Sequence, residues 1–244
     1  MTEVIIERAG PVLEITLNRP EKKNALTGAM YQAVETAFRS ADGDPAIRVV
    51  LLTGTGDTFT SGNDIKDFQA RAAINEATHA SPFLTALSSL KKPLVAAVNG
   101  AAIGVGTTML AHCDLVIAAQ SARFVMPFTS LGLVPEAASS LLFPRLIGHQ
   151  RASALLLLGE AIDADTARDW GLVYRVVADP ELLTVARSVA SRLAILPPEA
   201  VRRTKDLMKN GHPDVTGRIE QELLLFRDRL RSPEATEEIG RAHV

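Results

Sequence analysis

A single glutamate in a small, apolar stretch is the residue of this sequence best suited to proton transfer. Glu136 follows Val134 and Pro135 and precedes two alanines and two serines at 137–140. A carboxylate in such a setting can take a proton from a carbon atom and return it elsewhere. The structural alternative places Glu136 in the first turn of a helix that begins at Pro135. Its charge would then favour the helix dipole by a few tenths to about 1 kcal/mol.

Two loops upstream of Glu136 could bind a carbonyl oxygen. The loops 61–65 and 99–106 are rich in small residues, and backbone N–H groups at such turns are open to a ligand. An oxyanion hole needs two donors, which separate segments can supply. Each loop alone also has a structural interpretation, since Asp64 can cap the following helix. A nucleotide loop is not indicated, because Met109 stands where a dinucleotide motif has its third glycine and no Gly-Lys-Ser/Thr follows.

Other catalytic groupings are weaker. The run His112-Cys113-Asp114 suggests a metal site or a nucleophile–base pair, but adjacent strand residues point to opposite faces and no second cluster adds ligands. No metal is therefore predicted. A Gly-x-Ser-x-Gly elbow is absent, which disfavours a serine hydrolase. The remaining histidines lie in polar contexts and are expected to face solvent: His79, His149, His212 and His243.

The composition limits the partners. With 244 residues, 47% of them hydrophobic, the chain can form one substantial core. A net charge of −2 with interspersed signs disfavours nucleic acid as a partner. The single cysteine fits a reducing compartment. We expect no membrane partner, because no apolar run approaches about 20 residues. The N-terminus does not resemble a signal peptide, so a cytoplasmic location is expected.

Hydrophobic periodicity predicts strands alternating with helices. The apolar runs predict a sheet covered on both faces. The predicted strands are Val4–Arg8, Val12–Leu17, Val49–Thr53, Pro93–Val98, Asp114–Ala118, Phe124–Met126 and Leu172–Val177. The predicted helices are a helix capped by Thr27 and running to about Ala41, a polar stretch in the seventies, Gly104–His112, Pro135–Gly148, His149–Leu158, Ala164–Trp170, Pro180–Leu196, Pro198–Lys209 and Asp214–Arg231.

Pro197-Pro198 is the predicted joint between two regions. Residues 1–197 would form the core that carries the candidate catalytic groups, and residues 198–244 a helical oligomerisation region. The last helices carry an apolar stripe without an obvious partner in the chain, which favours contact with another subunit: Ile219, Leu223, Leu224, Phe226 and Leu230. Residues 238–244 do not continue this pattern, and we expect the natural chain to differ there, which re-sequencing of the gene would test.

Five motifs, in order along nearly the whole chain, resemble the crotonase (enoyl-CoA hydratase/isomerase) superfamily: Asn18–Leu26, Phe59–Ile65, Lys92–Gly100, Cys113-Asp114 and Ala167–Val173. The resemblance implies an α/β fold, with a crotonase-like ββα spiral core and a C-terminal helical trimerisation region. It also implies homotrimers or hexamers and an acyl-CoA thioester substrate. CoA would be part of that substrate, and no separate cofactor is expected.

The same resemblance assigns site residues. The backbone N–H groups of Asn63 and Val105 would form the oxyanion hole. The segment from Lys22 to Leu26 would lie near the adenosine part of CoA, and residues 68–83 would shape the acyl pocket. The implied substrate- and CoA-binding residues are Lys22, Lys23, Ala25, Ser61, Gly62, Asp64, Ile65, Gly104, Thr108 and Phe128.

Two departures from the family pattern refine the expected reaction. Family hydratases carry two glutamates that handle water, and Thr108 and Phe128 stand at those positions. The residues from 127 to 140 instead resemble peroxisomal-type Δ3,Δ2-enoyl-CoA isomerases of fatty acid β-oxidation, in which the glutamate after the proline is the catalytic base. That role maps to Glu136. The alternatives are an enoyl-CoA hydratase, other crotonase chemistry such as thioester hydrolysis, and a non-catalytic acyl-CoA-binding subunit.

Overall fold

The computed structural model describes residues 2–67, 69, 80–209, 215–231, 236 and 240. The expected helix in the seventies, most of the expected acyl-pocket stretch, and His79, His212 and His243 lie outside these residues, as does most of the segment 238–244. The described strands are β1 Val4–Ala9, β2 Val12–Leu17, β3 Val49–Gly54, β4 Thr58–Thr60, β5 Leu94–Val98, β6 Ala101–Ile103, β7 Leu115–Ala119, β8 Arg123–Val125, β9 Ile162–Asp163 and β10 Arg175–Val177.

The strands form two separate sheets, and successive strands along the chain are added to each sheet in turn. One sheet has the order β1-β2-β3-β5-β7-β10, antiparallel only between β1 and β2. The other has the order β4-β6-β8-β9, and β4, β6 and β8 are parallel. The successive pairs β3/β4, β5/β6 and β7/β8 each give one strand to each sheet. This repetition is the spiral that the resemblance implies, and it brings the loops after β4 and β6 side by side.

The helices cover the sheets and connect the strand pairs. Their bounds are α1 Gly28–Gly43, α2 Ala80–Ser89, α3 Val105–Thr108, α4 Ser139–Ile147, α5 His149–Ser153, α6 Ala164–Asp169, α7 Leu182–Ala194, α8 Pro198–Lys209 and α9 Val215–Leu230. Shorter 3-10 turns occupy Pro20–Lys22, Met109–His112, Thr129–Leu131 and Asp179–Glu181, and Ala154–Leu158 is π-helical. No described helix is long and apolar enough to cross a membrane.

The larger sheet is buried on both faces, as the apolar runs predict. Along β3, Val49 and Leu51 face α7, whereas Val50 and Leu52 face the main core. This alternation follows from the period of two along a strand. Both faces therefore exclude water, and the strand ends hold the loops of the candidate site in fixed positions.

The prediction of an unpartnered stripe on the last helix is wrong for most of its residues. Ile219, Leu223, Phe226 and Leu230 are buried in the main core, where α9 packs against α2. Only Leu224 is largely exposed. The apolar stripe is present as predicted, but the helix that covers it lies about 140 positions earlier in the same chain, which periodicity cannot reveal. The boundary at 197/198 remains a prediction.

Two helix boundaries near the site also differ from the prediction. Helix α4 begins at Ser139, not at Pro135, because Ala137 and Ala138 adopt left-handed conformations with φ of 56° and 54°. Glu136 therefore precedes the helix, and the proposed interaction with its first turn is not made. The predicted helix 104–112 is divided into α3 and a 3-10 turn that ends at His112.

Candidate active site

The two small-residue loops meet at the ends of neighbouring strands. The parallel pairing of β4 with β6 places loop 61–65 beside the turn at Gly104. Gly62 has φ of +90°, and a Cβ there would lie 2.9 Å from the carbonyl oxygen of Ile103. Only glycine accommodates both the conformation and this approach without strain. Gly62 is thus required for the contact between the loops.

Both loops present backbone donors. Among the described residues, the N–H groups of Asn63 and Val105 have no hydrogen-bond acceptor. Val105 is the first residue of α3, where N–H groups lack intrahelical partners. The predicted oxyanion donors therefore lie on adjoining loops with their N–H groups available.

A hydrogen bond from Thr108 ties Glu136 to the helix that begins at Val105. The Glu136 side chain is buried, with 4% of the residue exposed. The Thr108 hydroxyl donates a 2.5 Å hydrogen bond to Glu136 Oε1. Thr108 lies three residues after Val105, so one turn of helix separates the carboxylate's anchor from a predicted oxyanion donor.

Sequence reasoning missed Tyr31 on the buried face of α1. Its hydroxyl donates to Asn63 Oδ1 at 2.6 Å. Burial raises the pKa of Tyr31 well above 10.0, and the negative charges of Glu136 and Asp67 raise it further. The phenol is therefore a constant donor at working pH and ties the Asn63 loop to α1. A polar aromatic residue on a helix face that is otherwise buried was the available signal.

His112 forms a second contact that the sequence did not indicate. Its Nε2 lies 2.8 Å from the carbonyl oxygen of Ala137, the residue after Glu136. Burial lowers the pKa of His112 to about 4, a shift that the bond to Ala137 opposes and that the positive charges of Lys209 and Lys205 enhance. The ring is neutral at physiological pH, and because a carbonyl only accepts, Nε2 carries the proton.

The low pKa of His112 predicts that the folded protein loses stability at acid pH. The pKa of His112 is about 4 in the folded protein and 6.5 in the unfolded chain. Between these two pH values, His112 is protonated in the unfolded chain but neutral in the folded protein. Stability is therefore fully present above pH 6.5 and falls as the pH drops. We expect the wild type to lose about 3 kcal/mol more unfolding free energy than His112→Gln across this window. Urea unfolding at pH 7, 5.5 and 4 measures this, and parallel losses in the two proteins would contradict it.

The predicted CoA segment pairs with the Asn63 loop. Leu26 N donates to Gly62 O at 2.7 Å, and Ser61 N donates to Lys23 O at 2.9 Å. Lys22 is exposed, whereas the Lys23 ammonium forms an ion pair with Asp57 at 2.9 Å. The backbone of the segment is thus placed beside the loop, and Lys22 offers its charge to solvent.

The other predicted binding residues divide between lining and support. Asp64 forms an ion pair with Arg19 at 2.7 Å and accepts hydrogen bonds from the N–H groups of Lys66 and Asp67. Its carboxylate therefore stabilises the loop and the helical turn that follows. Phe128 is buried, with 5% exposed. The remaining four are half-buried at the loops: Ala25, Ser61, Ile65 and Gly104. Their contacts with a substrate stay predictions.

The neighbouring cysteine is poorly suited to nucleophilic chemistry. Burial and the Asp114 carboxylate raise the pKa of Cys113 to about 12, so the thiolate is scarce at neutral pH. Within the described ranges, no group of three or more His, Cys, Asp or Glu side chains could hold a metal ion.

Comparisons with known proteins agree with this architecture. A family model described as Enoyl-CoA hydratase/isomerase matches residues 7–239. The 1,2-epoxyphenylacetyl-CoA isomerase of Escherichia coli (strain K12) is 35% identical over 227 residues, covering 90% of this chain and 86% of that protein. Enoyl-CoA delta isomerase 2 of Rattus norvegicus is 35% identical over 238 residues, covering 95% of this chain but 61% of that protein. The chain thus spans less than two thirds of the rat relative.

A solved structure is similar to this chain over nearly its whole length. A crystal structure of an enoyl-CoA hydratase/isomerase from Pseudoalteromonas atlantica T6c matches with a TM-score of 0.94 and 42% identity, covering 99% of this chain and 97% of that one. The predicted crotonase-like α/β fold is confirmed by this match. With the family model spanning nearly all of its residues, the chain belongs to the enoyl-CoA hydratase/isomerase family.

Proposed function

We propose that the protein is an isomerase that moves the double bond of a 3-enoyl-CoA into conjugation with the thioester. Glu136 takes a proton from C2, the electrons shift to the thioester oxygen, and a dienolate forms. The N–H groups of Asn63 and Val105 hold this oxygen. The same carboxyl then returns the proton at C4, and 2-enoyl-CoA is released. No atom is gained or lost, and CoA enters and leaves as part of the substrate.

One observation carries this proposal: the buried carboxylate of Glu136 accepts a hydrogen bond from Thr108, one helical turn from Val105, whose N–H has no acceptor among the described residues. The hydrogen bond from Thr108 occupies Oε1 of Glu136 and fixes the orientation of the carboxyl group. C2 and C4 of a bound 3-enoyl chain can lie on the same face, so one group can serve both. A positioned base contributes about 10²–10⁴ in rate, and each oxyanion donor about 3 kcal/mol.

Hydration of a 2-enoyl-CoA is the less favoured reaction. At the two positions where the resemblance places water-handling glutamates, Thr108 and Phe128 are both buried and neither can act as a carboxylate base. The Thr108 hydroxyl is also engaged with Glu136. An apolar side chain at position 128, where the resemblance expects a water-handling glutamate, favours a dry site and an isomerisation without water.

The assembly is proposed from the resemblance and from the surface. Leu157 and Leu158 are adjacent, apolar and 65% and 71% exposed, respectively. Exposed apolar side chains next to each other favour a subunit contact. A homotrimer, or a hexamer made of two trimers, is the proposed state. Light scattering on the purified protein would measure it.

The test of the proposed function is a direct assay. Purified protein is supplied with a 3-enoyl-CoA, and the absorbance of the conjugated thioester is followed. A parallel reaction with 2-enoyl-CoA measures hydration. Formation of 2-enoyl-CoA, with hydration at least about tenfold slower, supports the proposal. Hydration faster than isomerisation, or acyl-CoA binding without turnover of any enoyl isomer, would reject it.

Replacing Thr108 by valine is expected to lower kcat about tenfold to a hundredfold. Valine keeps the shape of threonine but removes the hydroxyl that donates to Glu136, and a hydrogen bond to a charged group is worth about 1.5–3 kcal/mol. Thr108→Ser retains the donor and should stay within about threefold of the wild type. Equal kcat values in the valine and serine variants would show that this hydrogen bond does not orient the base.

A further inference from the structure

The segment that begins with a predicted oxyanion donor carries two side chains directed at the Glu136 turn. Val105, Thr108 and His112 lie at positions i, i+3 and i+7 of α3 and the following 3-10 turn. Residues at this spacing share one face. Thr108 contacts the carboxylate of Glu136, and His112 contacts the carbonyl oxygen of the next residue. Two points on one rigid segment therefore hold a turn about 25 residues away.

The turn that they hold is one that alanine rarely adopts. Ala137 and Ala138 are consecutive left-handed residues, and each such non-glycine residue costs about 1–2 kcal/mol. Ser139 stabilises the turn from within, because its hydroxyl and its N–H both donate to Glu136 O, at 2.6 and 3.0 Å. His112 supplies the contact from outside. A strained backbone persists only where its surroundings determine it.

We propose that His112 is a positioning residue for the isomerase reaction. Its Nε2–H donates to Ala137 O and thereby fixes the backbone of Glu136 relative to the N–H group of Val105. His112 touches neither substrate nor the proton in transfer, so its effect passes entirely through Glu136. This inference rests on the proposed function, in which Glu136 is the base.

The surroundings of His112 keep its ring in the donating, neutral form. On the side of α8, Lys205 and Lys209 present positive charges, and Lys209 Nζ donates to the backbone carbonyl of His112 at 3.4 Å. Lys205 is paired with Asp114 at 2.6 Å. Cys113 adds a thiol that stays protonated, and Glu136 lies on the turn that His112 contacts. Burial and the nearby positive charges disfavour protonation of the ring, which is therefore neutral at neutral pH.

The test compares three replacements of His112: one that keeps the donor in place, one that moves it and one that removes it. The amide nitrogen of glutamine lies as many bonds from Cβ as Nε2 of histidine, so His112→Gln can keep the bond to Ala137. The side chain of His112→Asn is one methylene shorter, so its amide nitrogen does not reach Ala137 O. His112→Leu removes the donor. We expect kcat within about threefold of the wild type for glutamine and about tenfold to a hundredfold lower for asparagine and leucine, with KM changed less than about twofold.

The outcomes separate this inference from the proposed function. No isomerisation by the unsubstituted protein would overturn both. An active wild type with asparagine and leucine variants equally active, or a loss confined to KM, would overturn the role of His112 alone. If the leucine variant fails to fold, the glutamine–asparagine pair decides. The kcat–pH profile of His112→Gln should match that of the wild type above pH 5, since a neutral donor replaces a neutral donor; a displaced profile would mean that His112 itself titrates in the reaction.

Discussion

Replacing Glu136 by glutamine is expected to lower the isomerase rate by about 10²–10⁴ while leaving acyl-CoA binding nearly unchanged. Glutamine keeps the size of the side chain and can still accept the hydrogen bond from the Thr108 hydroxyl through its amide oxygen. It cannot take up a proton from C2. The loss should therefore fall on kcat, because the missing interaction is made only as the proton moves.

The experiment uses the absorbance assay with 3-enoyl-CoA together with calorimetric binding of a saturated acyl-CoA. Glu160→Gln serves as the matched control, since Glu160 is exposed and lies outside the site. The control should retain the wild-type rate. A Glu136→Gln variant that keeps more than about a third of the wild-type kcat would refute Glu136 as the base. A variant that loses binding as well would indicate that the substitution disturbs the loops.

The consequence for the competing functions is direct. An acyl-CoA-binding subunit without turnover predicts no conversion of 3-enoyl-CoA by the unsubstituted protein, so Glu136→Gln would have no rate to lower. A hydratase would need a second group for water, and Thr108 and Phe128 supply no carboxylate at the positions where the resemblance expects one. Only the isomerase links the whole rate to one carboxyl group. The variant thus discriminates between the classes as well as testing the residue.

Elements whose signals are local could be predicted from the sequence. Helix α8 has the predicted bounds, because Pro198 fits the first turn of a helix and the following residues are good helix formers. Thr27 caps α1 as predicted, since its hydroxyl accepts from Met30 N at 3.2 Å. Strand β3 is recognised by its continuous apolar run. In each case, neighbours within a few residues determine the conformation.

The turn after Glu136 could not be predicted in the same way. Alanine favours helix more than any other residue, so the local sequence at Ala137 and Ala138 agrees with the predicted helix from Pro135. Contacts from distant segments override that preference, among them the bond from His112. The identity of the candidate base was nevertheless accessible, because it rests on motif order and not on the bounds of the helix.

Long-range contacts account for the other residues that sequence reasoning missed. Tyr31 and Asn63 are 32 positions apart, and His112 and Ala137 are 25 apart. Periodicity describes which face of an element is buried but not which element covers it. The same limit explains the last helix, whose apolar stripe was predicted correctly and whose partner was not. The sequence therefore indicates candidate reacting groups but not the distant residues that contact them.

Replacing Val105 by proline is expected to lower kcat by about 10²–10³. Proline removes the backbone N–H that would bind the thioester oxygen. Val105 is the first residue of α3, the one helical position where proline is well tolerated, and this N–H has no acceptor among the described residues. The preceding Gly104 has φ of 57° and ψ of −118°, outside the α region that a following proline would exclude. The fold should therefore keep its structure while the oxyanion hole loses a donor.

Two controls separate the donor from the side chain. Val105→Ala truncates a buried side chain but keeps the N–H, so it should lower stability with little effect on kcat. Asn63→Ala likewise keeps its backbone donor and loses only the bond from Tyr31, so a mild loss is expected. If Val105→Pro and Val105→Ala reduce kcat equally, packing and not the N–H is responsible. If only Val105→Pro lowers kcat, the N–H group of Val105 stabilises the negative charge that forms when Glu136 removes the proton from C2.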